Sequence, residues 1–161
     1  MTEQPPGIRI AVRAVIVREQ AVLVQHKMDP NGQERFTLPG GAPHGGETLV
    51  EALVRECEEE IGCTVSVADL IHVGDYFKPR STQPPTTRQQ VEILWRCHAP
   101  PGYEPRNGPR PDKHQRGVRW LSLSGLRHKC FIPKGLSHVL SQSIPNDPAC
   151  PEQPVYLGLI E

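Results

Sequence analysis

One stretch of the chain, residues 41–63, constrains its fold more than any other. A glycine-rich loop leads there into an amphipathic segment that stops at Gly62. Thr48 is followed three residues later by Glu51, which matches a capping box, so we predict that a helix begins near Thr48. Gly62 stands where a left-handed C-cap glycine is expected. The sequence therefore predicts a loop–helix–loop unit.

The predicted helix has an apolar stripe and an acidic face. The apolar residues at helical spacing are Val50, Val54, Cys57 and Ile61. The carboxylates of Glu56, Glu59 and Glu60 share one helical turn, where like charges destabilise a helix by about 0.2–0.5 kcal/mol per pair. A bound divalent cation would reverse that effect, and hard oxygen ligands favour Mg²⁺ or Mn²⁺ over zinc. A glutamate cluster is also typical of a solvated helix face, which is our interpretation of Glu51 and Glu58.

The spacing of this stretch resembles the Nudix box at every fixed position. Gly41 is followed after five residues by Glu47, and after seven more by the run Arg55 to Cys63. Cys57 and Cys63 stand where the family usually has large aliphatic residues. The preceding run, 38–41 (Leu-Pro-Gly-Gly), is also similar to the family. The chain thus resembles the MutT-like Nudix hydrolases.

This resemblance implies an activity and a set of metal ligands. Nudix enzymes hydrolyse a nucleoside diphosphate linked to another group, X, by attack of water on phosphorus. Glu56, Glu59 and Glu60 match the family's metal-binding glutamates, and the Gly41 carbonyl is expected to join them. Metal ions would separate the anionic diphosphate from the carboxylates, neutralise its oxygens and lower the pKa of bound water.

The resemblance also implies a supporting pair. Arg55 and Glu47 match the box residues that we expect to hold the loop and the glutamates in place. The alternative for Arg55 is a surface ion pair with Glu51 or Glu59. Either interpretation keeps Arg55 on the helix that carries the catalytic glutamates.

The sequence leaves the general base open. Glu56 and Glu60 are candidates because each combines a ligand role with a position near the attacking water. Several relatives supply a further acidic residue shortly before a late strand tryptophan, but here that position holds His114 or Gln115. Asp112 is a candidate if its loop folds inward, and His114 is one because its pKa lies near physiological pH. The alternative is that the helix glutamates alone carry the chemistry.

Candidates for substrate contacts flank the box. Gly40 allows the backbone to approach a ligand closely. Phe36 is either a base-stacking residue or part of the core. Lys27 faces the phosphates or solvent, and Arg80 is a candidate phosphate contact in a predicted loop, 78–88, over the site. Asp112 completes this set.

The remaining pattern predicts an α+β domain. Strands are predicted in 8–17, 21–28, 35–38, 64–77, 90–99 and 117–121, and short helices in 123–129 and 135–142. In the fifth strand, Val91, Ile93, Trp95 and Cys97 alternate with Glu92, Leu94 and Arg96. Strands around one catalytic helix, with further helices late in the chain, indicate two or three packed layers. The resemblance makes this specific: a Nudix fold, an α/β/α sandwich with a mixed sheet.

Length and charge restrict the remaining possibilities. The 161 residues correspond to one domain, 1–161, ending in a proline-rich tail at 144–161 whose last residues are expected to add an edge strand or to pair with a second subunit. Lys plus Arg and Asp plus Glu number 18 each, so nucleic-acid and membrane partners are not expected. The sequence has no apolar run of about 18 residues, the length needed to cross a membrane, and no recognisable signal peptide. We therefore predict a cytoplasmic protein.

These observations predict a Mg²⁺-dependent hydrolase acting on a small nucleotide. The candidate substrates are ADP-ribose, a nucleotide sugar, or a normal or oxidised nucleoside triphosphate. A Nudix-fold binding module or sensor is the first alternative, although such modules usually lack box glutamates that this chain keeps. An RNA 5′-end pyrophosphohydrolase is the second, and the absence of a basic patch in the sequence disfavours it.

Overall fold

The computed structural model describes residues 7–142 and 153–161. Its eight strands are β1 (Arg9–Arg18), β2 (Ala21–Met28), β3 (Glu34–Thr37), β4 (Gly40–Gly41), β5 (Ser66–Arg80), β6 (Thr86–His98), β7 (Gln115–Ser122) and β8 (Tyr156–Leu159). Its helices are α1 (Leu49–Ile61), a 3₁₀ helix (Leu123–His128) and α2 (Lys134–Ser141). Of the proline-rich tail predicted at 144–161, residues 144–152 lie outside the described residues.

The strands form a mixed sheet in the order β3-β2-β1-β6-β5-β8. The β1–β6 and β5–β8 pairs are parallel, and the other pairs are antiparallel. On its other side β1 changes partner along its length: its last residues pair with β2, whereas Val12 and Arg13 pair with the two glycines of β4. The glycine loop is therefore a hydrogen-bonded part of the sheet.

Two apolar clusters, one on each face, hold helices against this sheet. The cluster under α1 includes Val12, Ala14, Leu53, Cys57, Ile61 and Cys97. The cluster under the 3₁₀ helix and α2 includes Val24, Phe36, Leu94, Leu126, Leu136 and Leu140. Because helices cover both faces, the architecture is the predicted α/β/α sandwich.

Helix α1 begins and ends as predicted. The Thr48 hydroxyl accepts a hydrogen bond from the Glu51 N–H at 3.1 Å, and the Glu51 carboxylate accepts one from the Thr48 N–H at 2.7 Å. Gly62 adopts a left-handed φ of 58°. The predicted stripe was wrong at Val50, which is 41% exposed. Leu53, Cys57 and Ile61 are buried, whereas Val50 is exposed in the first turn of the helix, although the 3.6-residue repeat places it on the same side as Cys57 and Ile61.

The predicted loop 78–88 is mostly a β-hairpin. Strands β5 and β6 pair as far as Arg80 and Thr86, so only residues 81–85 connect them. Pro79 is tolerated because β8 pairs with β5 only near Val73–Asp75, which leaves this end of β5 as an edge where a missing N–H costs no sheet hydrogen bond. Most of the active-site loop expected at 78–88 is thus paired strand.

The end of the chain adds the predicted edge strand. Strand β8 runs parallel to β5, and Ile160 is buried against the second apolar cluster. Pairing of this strand with a second subunit stays a prediction. Among the described residues, none of the helices combines the length and the hydropathy needed to cross a membrane.

Candidate active site

The glycines of β4 bring the backbone against helix α1. A side chain on Gly41 would place its Cβ 2.5 Å from Oε1 of Glu56. Gly40 has a φ of 143°, and a Cβ there would lie 1.9 Å from the carbonyl oxygen of Val12. Both positions therefore require glycine, because any side chain would separate the loop from the helix or from β1.

Glu60 is buried at the base of this contact and is only 5% exposed. Its Oε2 accepts hydrogen bonds from the Gly40 N–H at 3.0 Å and from Nε2 of Gln25. Gln25 is itself fully buried and accepts a hydrogen bond from the Thr37 hydroxyl at 3.0 Å. Burial raises the pKa of the Glu60 carboxyl to about 8, and the neighbouring carboxylates add to the shift.

Arg55 links the glycine loop to the helix. Its guanidinium makes a two-pronged pair with Glu47, with Nε at 2.6 Å from Oε1 and Nη2 at 3.0 Å from Oε2. Nη2 also donates to the carbonyl of Ala42 at 3.2 Å, and Nη1 reaches Glu56 at 3.1 Å and Glu59 at 3.3 Å. Hydrogen bonding to Arg55 lowers the pKa of Glu47 to about 2. Arg55 therefore makes the predicted ion pair with Glu59, but as one of several interactions that also join it to Glu47, Ala42 and Glu56.

The loop before β7 folds toward the site and brings Asp112 with it. Gln115 anchors this loop, since its Nε2 donates to the Glu60 carbonyl at 2.8 Å and its Oε1 accepts from the Asp112 N–H at 2.9 Å. Asp112 forms an ion pair with Lys27. Although burial opposes the change, the Lys27 ammonium lowers the pKa of Asp112. His114 is exposed, has a left-handed φ of 65° and does not line the cavity that contains Glu56 and Glu60.

A second buried carboxylate, Glu92, was missed by the sequence analysis. It is 0% exposed and accepts hydrogen bonds from Arg13 Nε at 2.9 Å and from Gln90 Nε2 at 2.6 Å. The spacing of Gln90, Glu92 and Leu94 on alternate positions of β6 could have indicated one shared face. The partner on β1 could not have been found in this way, because it depends on how the strands pair.

These side chains surround one cavity of about 230 Å³. Of the predicted site residues, the structure brings Lys27, Gly40, Gly41, Glu56, Glu60 and Asp112 to its wall. Glu59 lies beside Arg55 and 3.8 Å from Arg110. Arg80 is exposed near the tip of the hairpin, outside the cavity wall. Phe36 is 1% exposed and stacks on His26, so the core interpretation holds for it and base stacking does not.

The donor atoms around the cavity fit a hard divalent cation. Glu56, Glu60 and Asp112 supply carboxylate oxygens, and the β4 loop supplies carbonyls. In the described part of the chain, no Lys, Arg or His lies within ion-pair distance of Glu60, so no cation pairs with it directly. No three carboxylate, His or Cys side chains among the described residues are already arranged as a complete metal site. These oxygen donors are therefore of the kind that Mg²⁺ and Mn²⁺ prefer as ligands.

Comparison with known proteins agrees with this geometry. A family model described as the NUDIX domain matches residues 7–138. The chain belongs to the Nudix hydrolase family. This Nudix protein is 34% identical over 126 residues to a putative 8-oxo-dGTP diphosphatase 2 of Mycobacterium tuberculosis, covering 78% of this chain and 81% of that protein.

Two further proteins are similar to this chain over a comparable length. A MutT-like protein of Streptomyces ambofaciens is 32% identical over 118 residues, covering 73% of this chain and 66% of that protein. A crystal structure of a MutT Nudix hydrolase from Burkholderia pseudomallei is 31% identical and has a TM-score of 0.57, covering 73% of this chain and 85% of that one. The predicted family and fold are therefore confirmed.

Proposed function

We propose that this Nudix protein is a Mg²⁺-dependent hydrolase that cleaves the pyrophosphate bond of a nucleoside diphosphate linked to a group X. The observation that carries the proposal is Glu60, a buried carboxylate without a cationic partner in the described chain, beside Glu56 and the Gly41 backbone in one cavity. Burying a carboxylate without compensation costs several kcal/mol. Bound cations would supply the missing charge, and Mn²⁺ is an alternative to Mg²⁺.

The roles of the box residues follow from their contacts. We assign Glu56, Glu59, Glu60 and the Gly41 carbonyl to holding the metal. When bound, the metal would neutralise phosphate oxygens and make water a better nucleophile. Hydrogen bonds from Gly40 and Gln25 fix Oε2 of Glu60.

Arg55 and Glu47 keep the loop at its distance from the helix, so this pair orients ligands without contacting substrate. We assign removal of the proton from the attacking water to Glu56 or Glu60. Asp112 is a weaker base because its ion pair with Lys27 stabilises the ionised carboxylate.

We propose a small nucleotide as the substrate and the cytoplasm as the place of action, as the balanced charge and the absence of long apolar runs predict. A normal or oxidised nucleoside triphosphate is our first choice, since the relative from Mycobacterium tuberculosis is named for one. ADP-ribose and nucleotide sugars are the other candidates.

Release of phosphate or nucleotide across these substrates, with Mg²⁺ and with EDTA, tests the proposal. We expect metal-dependent cleavage of at least one class, and its loss in the Glu56→Gln variant. Glu58→Gln is the matched control, because Glu58 lies on the same helix but is exposed. Absence of turnover with every substrate in the presence of Mg²⁺ or Mn²⁺ would contradict the proposal and favour a binding module.

A further inference from the structure

Three cations share the cavity-facing side of the sheet. Lys78 on β5 lies directly opposite Arg88 on β6, and Arg9 on β1 lies opposite Gln90, two residues after Arg88. Side chains two residues apart on a strand point to the same face. Arg9, Lys78 and Gln90 line the cavity, so the guanidinium of Arg88 stands on the same side, beside Lys78.

These three cations lack acidic partners. Within residues 7–142 and 153–161, no Asp or Glu side chain forms an ion pair with Arg9, Lys78 or Arg88. By contrast, two other cations of the cavity wall, Arg13 and Lys27, are each paired with a carboxylate. Burial lowers the pKa of Lys78, and the surrounding positive charges lower it further. An anion among these cations would relieve their repulsion.

A tyrosine hydroxyl faces the same region. Tyr76 is 9% exposed, lines the cavity and lies in the same cross-strand row as Arg9 and Gln90. Its hydroxyl forms no hydrogen bond to another described residue and is not among the buried side-chain atoms that lack a partner. It is therefore available to donate to a ligand.

Arg9, at one end of this cluster, is set apart from the glutamates. Gly40 of β4 pairs with Arg13, and Arg9 precedes Arg13 by four residues on β1. At a strand rise of about 3.3 Å per residue, the Cα atoms of Arg9 and Arg13 lie about 13 Å apart. Lys78, by contrast, is near enough to Arg13 and Lys27 for their charges, after burial, to lower its pKa. Arg9 therefore addresses a different part of a ligand from the part beside Glu56 and Glu60.

We propose that Arg9 and Lys78, with Arg88 beside Lys78 and the Tyr76 hydroxyl as a donor, bind a substrate phosphate beyond the pyrophosphate bond that faces the glutamates. The enzyme then prefers nucleotides whose X group carries a phosphate, such as nucleoside triphosphates, over those whose X is a neutral sugar. This inference rests on the proposed function and narrows its substrate class.

Matched substrate pairs test the preference. UTP is compared with UDP-glucose, and ATP with ADP-ribose, for the wild type and the Arg9→Gln/Lys78→Gln double variant. We expect KM for the triphosphates to rise about tenfold or more in the double variant, because charge-assisted hydrogen bonds are lost. KM for the neutral-X substrates should change less than about threefold, and so should their kcat.

A second double variant, Arg96→Gln/Arg119→Gln, is the control, because it removes the same charge from exposed residues of β6 and β7 outside the cavity wall. Its kinetics should match the wild type for both members of each pair. Equal KM increases for charged and neutral X in the Arg9/Lys78 variant, or no increase for either, would overturn the inference.

A binding measurement distinguishes failure of this inference from failure of the proposed function. Tripolyphosphate and pyrophosphate are titrated calorimetrically into the wild type in EDTA, which withholds the metal that the proposed reaction requires. We expect tripolyphosphate to bind about tenfold more tightly, and the difference to vanish when Arg9 and Lys78 are replaced. Absence of turnover in the wild type would refute the proposed function only. Equal affinities for the two probes, or a preference that survives the replacements, would refute the anion subsite.

Discussion

Two buried glutamates line the same cavity but differ in what compensates their charge. Glu92, on the central strand β6, is paired with Arg13 and receives a second hydrogen bond from Gln90. Glu60, near the end of α1, receives hydrogen bonds from two neutral donors, Gly40 and Gln25, and from no cation among the described residues. The Arg13 side chain is 17% exposed, and although its own desolvation opposes the change, the charge of Glu92 raises the pKa of Arg13.

We infer from this difference that Glu92 stabilises the fold and that Glu60 takes part in metal binding and catalysis. An ion pair buried with its hydrogen bonds satisfied is compensated within the protein. A carboxylate buried beside other carboxylates is compensated only by charge from outside, such as a metal ion. The same contrast separates the paired cations Arg13 and Lys27 from Arg9 and Lys78. We propose that the part of the cavity where charges lack a direct partner is the part that binds a ligand.

Replacing Glu60 gives the largest expected effect. Glu60→Gln keeps an acceptor for the hydrogen bond from Gly40 and the shape of the side chain but removes the charge that we assign to metal binding. We expect kcat to fall by about 10²–10⁴-fold with the fold retained. Steady-state kinetics at saturating Mg²⁺, with circular dichroism as the check on folding, measure this. A variant with near-normal kcat would remove Glu60 from the catalytic site.

Replacing Glu92 should instead act on stability. Glu92→Ala leaves the Arg13 guanidinium buried without its partner, so we expect the free energy of unfolding to fall by about 3–5 kcal/mol. The Arg13→Met/Glu92→Leu double variant should recover most of that loss, because both charges are removed together. Urea unfolding measures both. If the double variant is less stable than either single variant, charge pairing is not the role of Glu92.

Gln25 tests how Glu60 is held. Gln25→Leu removes the side-chain donor to Oε2 and also leaves the Thr37 hydroxyl without its acceptor. We expect kcat to fall about 10–100-fold, as for other supports of metal ligands, and the Mg²⁺ concentration for half-maximal rate to rise. Gln25→Glu, which places a further anion beside Glu60, should weaken metal-free folding instead. An unchanged metal dependence in Gln25→Leu would contradict the positioning role.

The last expected effect concerns pH and metal-free stability. The Glu60 carboxyl has a pKa raised to about 8 from an ordinary value of 4.5. Its folded form therefore binds the proton more tightly than the unfolded chain does, so this stability is fully present below pH 4.5 and is lost as pH rises through about 8. Urea unfolding in EDTA at pH 5 and pH 8.5 should detect the loss.

Two comparisons sharpen that experiment. In Glu60→Gln the difference in unfolding free energy between the two pH values should shrink, because the titrating group is gone. In the wild type, Mg²⁺ should restore stability at the higher pH, since a ligand that binds only the folded state stabilises it. Stability that rises with pH in EDTA, in the wild type but not in Glu60→Gln, would contradict the burial of an uncompensated carboxylate.

The catalytic helix shows how far sequence reasoning extends. Its start at Thr48, its end at Gly62 and the shared turn of Glu56, Glu59 and Glu60 depend on residues three or four positions apart. Helical geometry alone relates such residues, so their arrangement was predictable. Val50 shows the limit of such reasoning within the helix itself. It belongs to the predicted apolar stripe but is exposed, because packing decides which part of the stripe meets the sheet.

The sequence by itself determined the local units: the capped helix, the glycines that bring the backbone to it, most strand positions and the family. Only the tertiary structure decided the ion pair of Arg13 with Glu92, whose residues are 79 positions apart, and the approach of Asp112 to Lys27 across 85 positions. It also placed Phe36 in the core and converted the loop at 78–88 into a hairpin. Contacts of this kind depend on strand pairing and register, which a single sequence does not specify, because many registers satisfy the same alternation of apolar residues.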